Sequence, residues 1–269
     1  MIGIVTDSMS CMTERDAAAY NVRIARAKCV IGTRTVPDTV EPYPKSLERA
    51  RTLPPSSADY YRIFASLAAE CDEIICITSS DRVTMSYTNA CLAAKAAEGP
   101  RFAIIDSGAT AGALYLLVRM CRELEASGAG FGDIVSIISK QKARLNMSFS
   151  LRDLQAVMRT GRRISASAGV HAPIMDQRPV CTFEGGGRLV VKETASGALN
   201  ELRALAAEHH SPRRIVVHYC EADMHLYELV SLLRRRFPDA DIIRRRVAMS
   251  IRIVTGEDAL GVFSYGMGE

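Results

Sequence analysis

Short apolar runs that each stop at a Ser or Asp, separated by stretches of helical period, constrain this chain more than any other feature. The run Ile2-Gly3-Ile4-Val5-Thr6 stops at Asp7-Ser8, residues 73–78 stop at Ser79-Ser80-Asp81, and residues 101–105 stop at Asp106-Ser107. Runs this short and this continuously apolar read as strands covered on both faces. Strand and helix alternating in this way build a parallel sheet between helices. In such open sheets ligands sit beyond the carboxyl ends of the strands. The three Ser/Asp clusters are therefore expected on one edge. From these residues alone the other reading stays open, that they only cap the helices that follow.

The rest of the first half fits the alternation. Residues 22–31 read as one strand. A helix begins at Ser57-Ala58-Asp59 and is expected to turn Tyr61, Phe64, Ala65, Leu67 and Ala68 inward. Helices are expected over 84–97, 110–127 and 132–143. After residue 150 the rhythm changes. A helix over about 150–160 ends at Gly161, and Gly185-Gly186-Gly187 separates two β runs, 179–183 and 188–193, as a hairpin would. A helix presenting Leu199, Leu202, Leu205 and Ala206 follows, then a strand at 215–219, a helix at 222–236 and strands near 241–246, 250–254 and 260–265. The expected fold is α/β in two domains. Residues 1–148 form an N-terminal Rossmann-like three-layer domain with a parallel sheet, and residues 149–269 a C-terminal α/β domain with a mixed sheet.

Composition excludes several classes. No apolar run approaches the roughly 18 residues of a membrane span, so no stable membrane insertion is expected. The opening lacks a basic segment followed by an apolar one, which predicts a cytoplasmic protein. Eight cysteines, among them Cys76 within Ile74-Ile75-Cys76-Ile77, contain no CxxC pair and read as buried reduced thiols. The net charge of +4 gathers in arginine runs such as Arg234-Arg235-Arg236 and Arg244-Arg245-Arg246. These are solvated faces or a docking surface for an acidic protein. Nucleic acid is not expected, because stacking aromatics are not interleaved with the arginines.

The common catalytic signatures are missing: no phosphate-cradling glycine loop, no H-E-x-x-H and no G-x-S-x-G. His218, Cys220 and His225 are close in sequence but alternate along a strand into a helix, which argues against a metal site. His209-His210 is placed at a helix end, where a cation suits the dipole. Hydroxyl-rich loops without enzyme motifs favour ligand binding over turnover. A hydrolase or transferase using the Ser/Asp clusters with His171 or His218, or an interaction protein whose binding site is degenerate, are the alternatives.

Six segments taken in order resemble the DegV family. They are Val5-Thr6-Asp7-Ser8, Thr52-Leu53-Pro54-Pro55-Ser56, Ser79-Ser80-Asp81-Arg82-Val83-Thr84-Met85-Ser86-Tyr87, Ile104-Ile105-Asp106-Ser107, Gly161-Arg162-Arg163-Ile164-Ser165 and Val254-Thr255-Gly256-Glu257-Asp258-Ala259-Leu260-Gly261. The resemblance implies two α/β domains holding a long-chain fatty acid in an apolar tunnel, with hydroxyls on its carboxylate, no catalysis and no other cofactor. It also implies, for some members, presentation to a fatty acid kinase that feeds phospholipid metabolism. By position, Thr52 and Thr84 would be the head-group hydroxyls. Ser86, Ser56, Asp7, Ser8 and Met85 would line the pocket, and Arg162 and Arg163 would face the kinase. Met85, Leu53, Val254 and Glu193 stand where the family has Gly, Ser, His and Arg. Arg252, two residues before Val254 on an expected strand, is taken as the replacement cation.

Overall fold

The structure is a computed structural model that describes residues 1–40, 47, 49–151, 164–166 and 177–266. It divides into two compact units, Met1–Ala143 with Ala248–Ile253 and Arg144–Val247 with Val254–Glu269.

The strands of the first unit are β1 (Ile2–Asp7), β2 (Val22–Ala25), β3 (Lys28–Ile31), β4 (Arg34–Pro37), β5 (Arg51–Leu53), β6 (Glu73–Thr78) and β7 (Arg101–Asp106). Its helices include α1 (Glu14–Ala19), α2 (Ser57–Ala68), α3 (Ser86–Ala96), α4 (Ala111–Ala126) and α5 (Phe131–Gln141). A parallel sheet runs β2-β1-β6-β7, and a small antiparallel sheet runs β4-β3-β5. On one face of the parallel sheet Val5, Ile74 and Cys76 pack with Tyr60, Phe64 and Leu67 of α2 and with Ala90 and Ala93 of α3. Residues of the other parity point to the face that α4 covers.

The expected strand over 22–31 is two strands. At Arg26-Ala27 the chain leaves the parallel sheet, because the Ala27 amide bonds the Ser8 hydroxyl (3.0 Å) and Arg26 bonds the Asp38 carbonyl (2.9 Å). The inward face of α2 is also rotated from expectation. Ser56 and Asp59 form a capping box, the helix buries Tyr60, Phe64 and Leu67, and Tyr61 is exposed. Each of those buried side chains stabilises the unit by roughly 1.5–3 kcal/mol relative to exposure.

The second unit is built on a seven-stranded mixed sheet. Its strands are β8 (Leu145–Ser150), β9 (Ile164–Ala166), β10 (Gln177–Glu184), β11 (Arg188–Ser196), β12 (Pro212–Tyr219), β13 (Asp241–Arg246) and β14 (Leu260–Gly266), in the order β13-β12-β14-β8-β10-β11-β9. The β10–β11 hairpin turns on Gly185, Gly186 and Gly187, whose φ angles of 51°, 78° and 107° explain why glycine fills all three positions. The helices Ala198–Ala207 and Met224–Arg236 pack Leu202, Leu205, Leu226, Leu229 and Leu233 against Ile215, Val217 and Val262. Leu199, expected on that inner face, is exposed. Residues 249–255 form a helix, not the expected strand at 250–254. The expected helix over 150–160 and Gly161 lie outside the described residues, apart from Ser150 in β8 and Leu151.

His209 overturns the helix-dipole reading. It is buried between two hydroxyls, with Ser148 Oγ 3.0 Å from Nε2 and Ser264 Oγ 2.7 Å from Nδ1. Ser148 also lies 2.6 Å from the Leu205 carbonyl and donates to it. Ser148 therefore accepts from Nε2–H, and Ser264 donates to Nδ1, which infers the neutral tautomer. Burial pushes the imidazole pKa down to about 3. The unfolded chain takes its proton near 6.5 and the folded unit does not, so stability falls with pH over that interval by about 1.4 kcal/mol per pH unit. The variant His209→Gln should remove that share of the acid slope, as read from denaturant unfolding at pH values between about 6 and 4. An unchanged slope would discard this assignment.

Candidate functional site: a buried carboxyl and a hydroxyl relay

Parallel pairing of β1 with β6, and of β6 with β7, brings three strand ends together. Asp7 closes β1 and is buried. Its Oδ2 accepts from the Ser79 amide and the Ser79 hydroxyl, each at 2.7 Å, and its Oδ1 accepts from the Met9 amide at 3.0 Å. The carboxyl therefore caps the 3-10 turn Ser8–Ser10 and also ties β1 to the loop after β6. Asp7 thus caps the turn after β1 and shares the edge with the loop after β6.

From Ser79 the network continues outward. Ser79 Oγ lies 3.0 Å from Thr84 Oγ1, which in turn accepts from the Ser86 amide at 3.0 Å. Ser107 donates its amide to the Thr78 carbonyl (3.1 Å) and Ser80 donates its amide to Ala109 (2.8 Å). Next to Asp7 lie the buried hydroxyls of Tyr60 and Ser86, neither in a hydrogen bond of good geometry. Their dipoles still act on the carboxyl and on each other. Burial outweighs the hydrogen bonds at Asp7 and raises its pKa to about 6.

A second buried carboxyl, Asp38, stands on the far side of Ser8. Its Oδ2 accepts from the hydroxyls of Ser8 (2.7 Å) and Ser250 (2.6 Å), and its Oδ1 from the Ser250 amide (2.9 Å). Burial also raises its pKa, against the pull of those bonds. Burial and the adjacent carboxyl push the Cys29 thiol up to about 12, so it stays a thiol.

The expected site residues divide accordingly. Asp7, Ser8, Thr84 and Ser86 share the edge. Thr52 lies on β5, paired with Cys29 of the small sheet. Ser56 is exposed and spends its hydroxyl on the Asp59 capping box. Met85, at the residue before α3, is 59% exposed. Leu53 is exposed, and Glu193 pairs with Val180 beside a bulge in the hairpin. Arg252 is buried, but on a helix residues 252 and 254 are about 200° apart, so the shared-face argument that selected it fails. Arg162, Arg163 and His171 lie outside the described residues.

Sequence reasoning missed Asp38, Ser250, Cys29 and Tyr60. Asp38 follows Pro37 with no motif around it, and Ser250 sits in a run whose pattern reads as a strand. Tyr60 was recoverable, since Tyr60, Phe64 and Leu67 repeat at helical spacing behind the Ser56 cap. Of the imidazoles weighed for catalysis, His218 is buried edge-on against Phe263 with ring centroids 5.6 Å apart, and burial lowers its pKa to about 3. Among the described residues no group of three or more His, Cys, Asp or Glu is placed to hold a metal ion, and no helix is long and apolar enough to cross a membrane.

A parallel sheet with a polar carboxyl edge, joined to a mixed-sheet unit, defines a class of two-unit α/β folds. The profile of the DegV family, described as uncharacterised proteins, matches residues 1–266, and the chain belongs to that family. It is 24% identical to a DegV domain-containing protein of Caldanaerobacter subterraneus, over 97% of this chain and 98% of the relative. A DegV family protein from Thermus thermophilus, described for fatty acid binding, superposes with a TM-score of 0.88 at 21% identity over 99% of each chain. The Fatty Acid Kinase (Fak) B3 protein of Streptococcus pneumoniae, loaded with linoleic acid, superposes with a TM-score of 0.84 at 19% identity, over 98% of this chain and 99% of that one.

The raised pKa of Asp7 sets a sign. The folded unit binds a proton that the unfolded chain has released between about pH 4 and 6, so this group lowers stability as pH rises through that window. The difference in unfolding free energy, Asp7→Asn minus wild type, should rise by up to about 3 kcal/mol across it and level off above. Parallel pH profiles for the two proteins would show that Asp7 titrates normally.

Proposed function

We propose that this chain binds a long-chain fatty acid without turning it over, with the carboxylate on hydroxyls at the edge formed by β1, β6 and α3. The observation that carries this reading is the Asp7–Ser79–Thr84–Ser86 cluster, in a family whose solved members include proteins loaded with fatty acid. A sixteen-carbon tail offers on the order of 12 kcal/mol of burial before ordering costs, so the tail dominates affinity. Each hydroxyl bond to a charged acceptor adds about 1.5–3 kcal/mol and selects the head group.

Thr84 is the central head-group residue because it is half-buried and reaches outward from the buried network. Thr52 is the second proposed hydroxyl. Similarity to the Streptococcus pneumoniae kinase component supports presentation of the bound acid to a fatty acid kinase in the cytoplasm, with Arg162 and Arg163 facing that partner. The Ser–His contacts at His209 are buried in the core of the second unit, where Ser148 keeps its proton on the Leu205 carbonyl and Ser264 donates to Nδ1.

Organic extraction of natively purified protein followed by mass spectrometry should release a stoichiometric long-chain fatty acid. The variant Thr84→Val should bind that acid several-fold more weakly while keeping its circular dichroism spectrum. Equal affinity in the two proteins would remove Thr84 from the site.

A further inference from the structure

We propose that carboxylate binding at this edge is coupled to uptake of one proton by Asp7, transmitted through the hydroxyls of Ser79 and Thr84. The coupling is argued from the geometry of the relay; the identity of the ligand rests on the fatty-acid reading above.

Each hydroxyl of the relay has one proton to give. With Asp7 ionised, its Oδ2 takes the Ser79 hydroxyl proton at 2.7 Å. Ser79 Oγ is then an acceptor towards Thr84, so Thr84 must spend its own proton inward across the 3.0 Å contact. Thr84 Oγ1 already accepts from the Ser86 amide, and what remains facing outward is a lone pair. A carboxylate arriving there meets an acceptor, which repels it.

Protonation of Asp7 reverses every link. Its Oδ2–H donates to Ser79 Oγ and still accepts from the Ser79 amide with its remaining lone pair. Ser79 then donates to Thr84, and the Thr84 hydroxyl is free to donate outward. No covalent bond changes. One proton passes from solution to Asp7, and the protons on the two hydroxyls turn round.

The surroundings permit the change. Among the described residues no cation pairs with Asp7, so its ionised form lacks the counter-charge that would resist protonation. The titratable groups next to it are the Tyr60 phenol on α2 and the Cys76 thiol on β6, both held neutral by burial. On the turn after β1, Ser8 leads to the Asp38 carboxyl. Beyond β2, Arg26 is taken by Glu14 and the Asp38 carbonyl. The helix α4, packed on β1, carries Tyr115 and Cys121 as buried titratable groups.

The experiment is calorimetry with decanoate, which stays monomeric, in buffers of different ionisation enthalpy. At about pH 7.5 wild type should take up close to one proton per decanoate bound, and its affinity should fall about tenfold for each pH unit above the Asp7 titration. The variant Ser79→Ala cuts the relay and should bind with no proton uptake and no such pH slope. Decanoate labelled at its carboxyl carbon should show, by NMR, an ionised ligand in the wild-type complex. Wild-type binding without proton uptake, a protonated bound ligand, or uptake retained in Ser79→Ala would each overturn the coupling and leave the fatty-acid reading standing. Absence of decanoate binding and of any extractable fatty acid would instead overturn that reading, and the coupling with it.

Discussion

The first unit depends on a carboxyl buried without a counter-charge among the described residues. Asp7 ends the central strand of a parallel sheet, where an ionised group costs several kcal/mol unless hydrogen bonds replace its water. Three donors do so, two of them from Ser79 at the end of the neighbouring strand. The same bonds that make the burial tolerable hold β1, β6 and the loop leading into α3 in register. Desolvation still outweighs them, which raises the Asp7 pKa from the usual carboxylate range to about 6. A structural bond and a chemically responsive group are thus one residue.

Asp38 applies the same device at long range. Its carboxyl gathers Ser8 from the end of β1 and Ser250 from 212 residues further along the chain. The returning segment Ala248–Ile253 therefore belongs to the first unit although sequence order places it among elements of the second. The two buried carboxyls, Asp7 and Asp38, each keep their own hydroxyl donors near the end of β1. Those hydroxyls are oriented by what the carboxyls accept.

In the second unit polarity is handled differently. His209 stays neutral between Ser148 and Ser264, tying the segment after the helix Ala198–Ala207 to β8 and β14. An imidazole that spans two hydroxyls satisfies three buried groups without placing a charge in the core. The result is a strut where a Ser–His pair in sequence terms would suggest chemistry.

The sequence by itself determined the strand–helix order, the parallel sheet, the hairpin at Gly185–Gly187 and the shared edge of the Ser/Asp clusters. Those follow from local periodicity, from the φ freedom of glycine and from the rule that parallel strands end on one side. It also carried the kinship, through short motifs in order. Tertiary structure decided which way the polar atoms point. It alone broke residues 22–31 into two strands, by offering the Ala27 amide a partner in Ser8. It turned 249–255 into a helix whose Ser250 meets Asp38. It made Thr84 the outer end of a relay that starts at Asp7. Hydrogen-bond direction, desolvation and long-range contact are properties of the folded neighbourhood, and no window of sequence contains them.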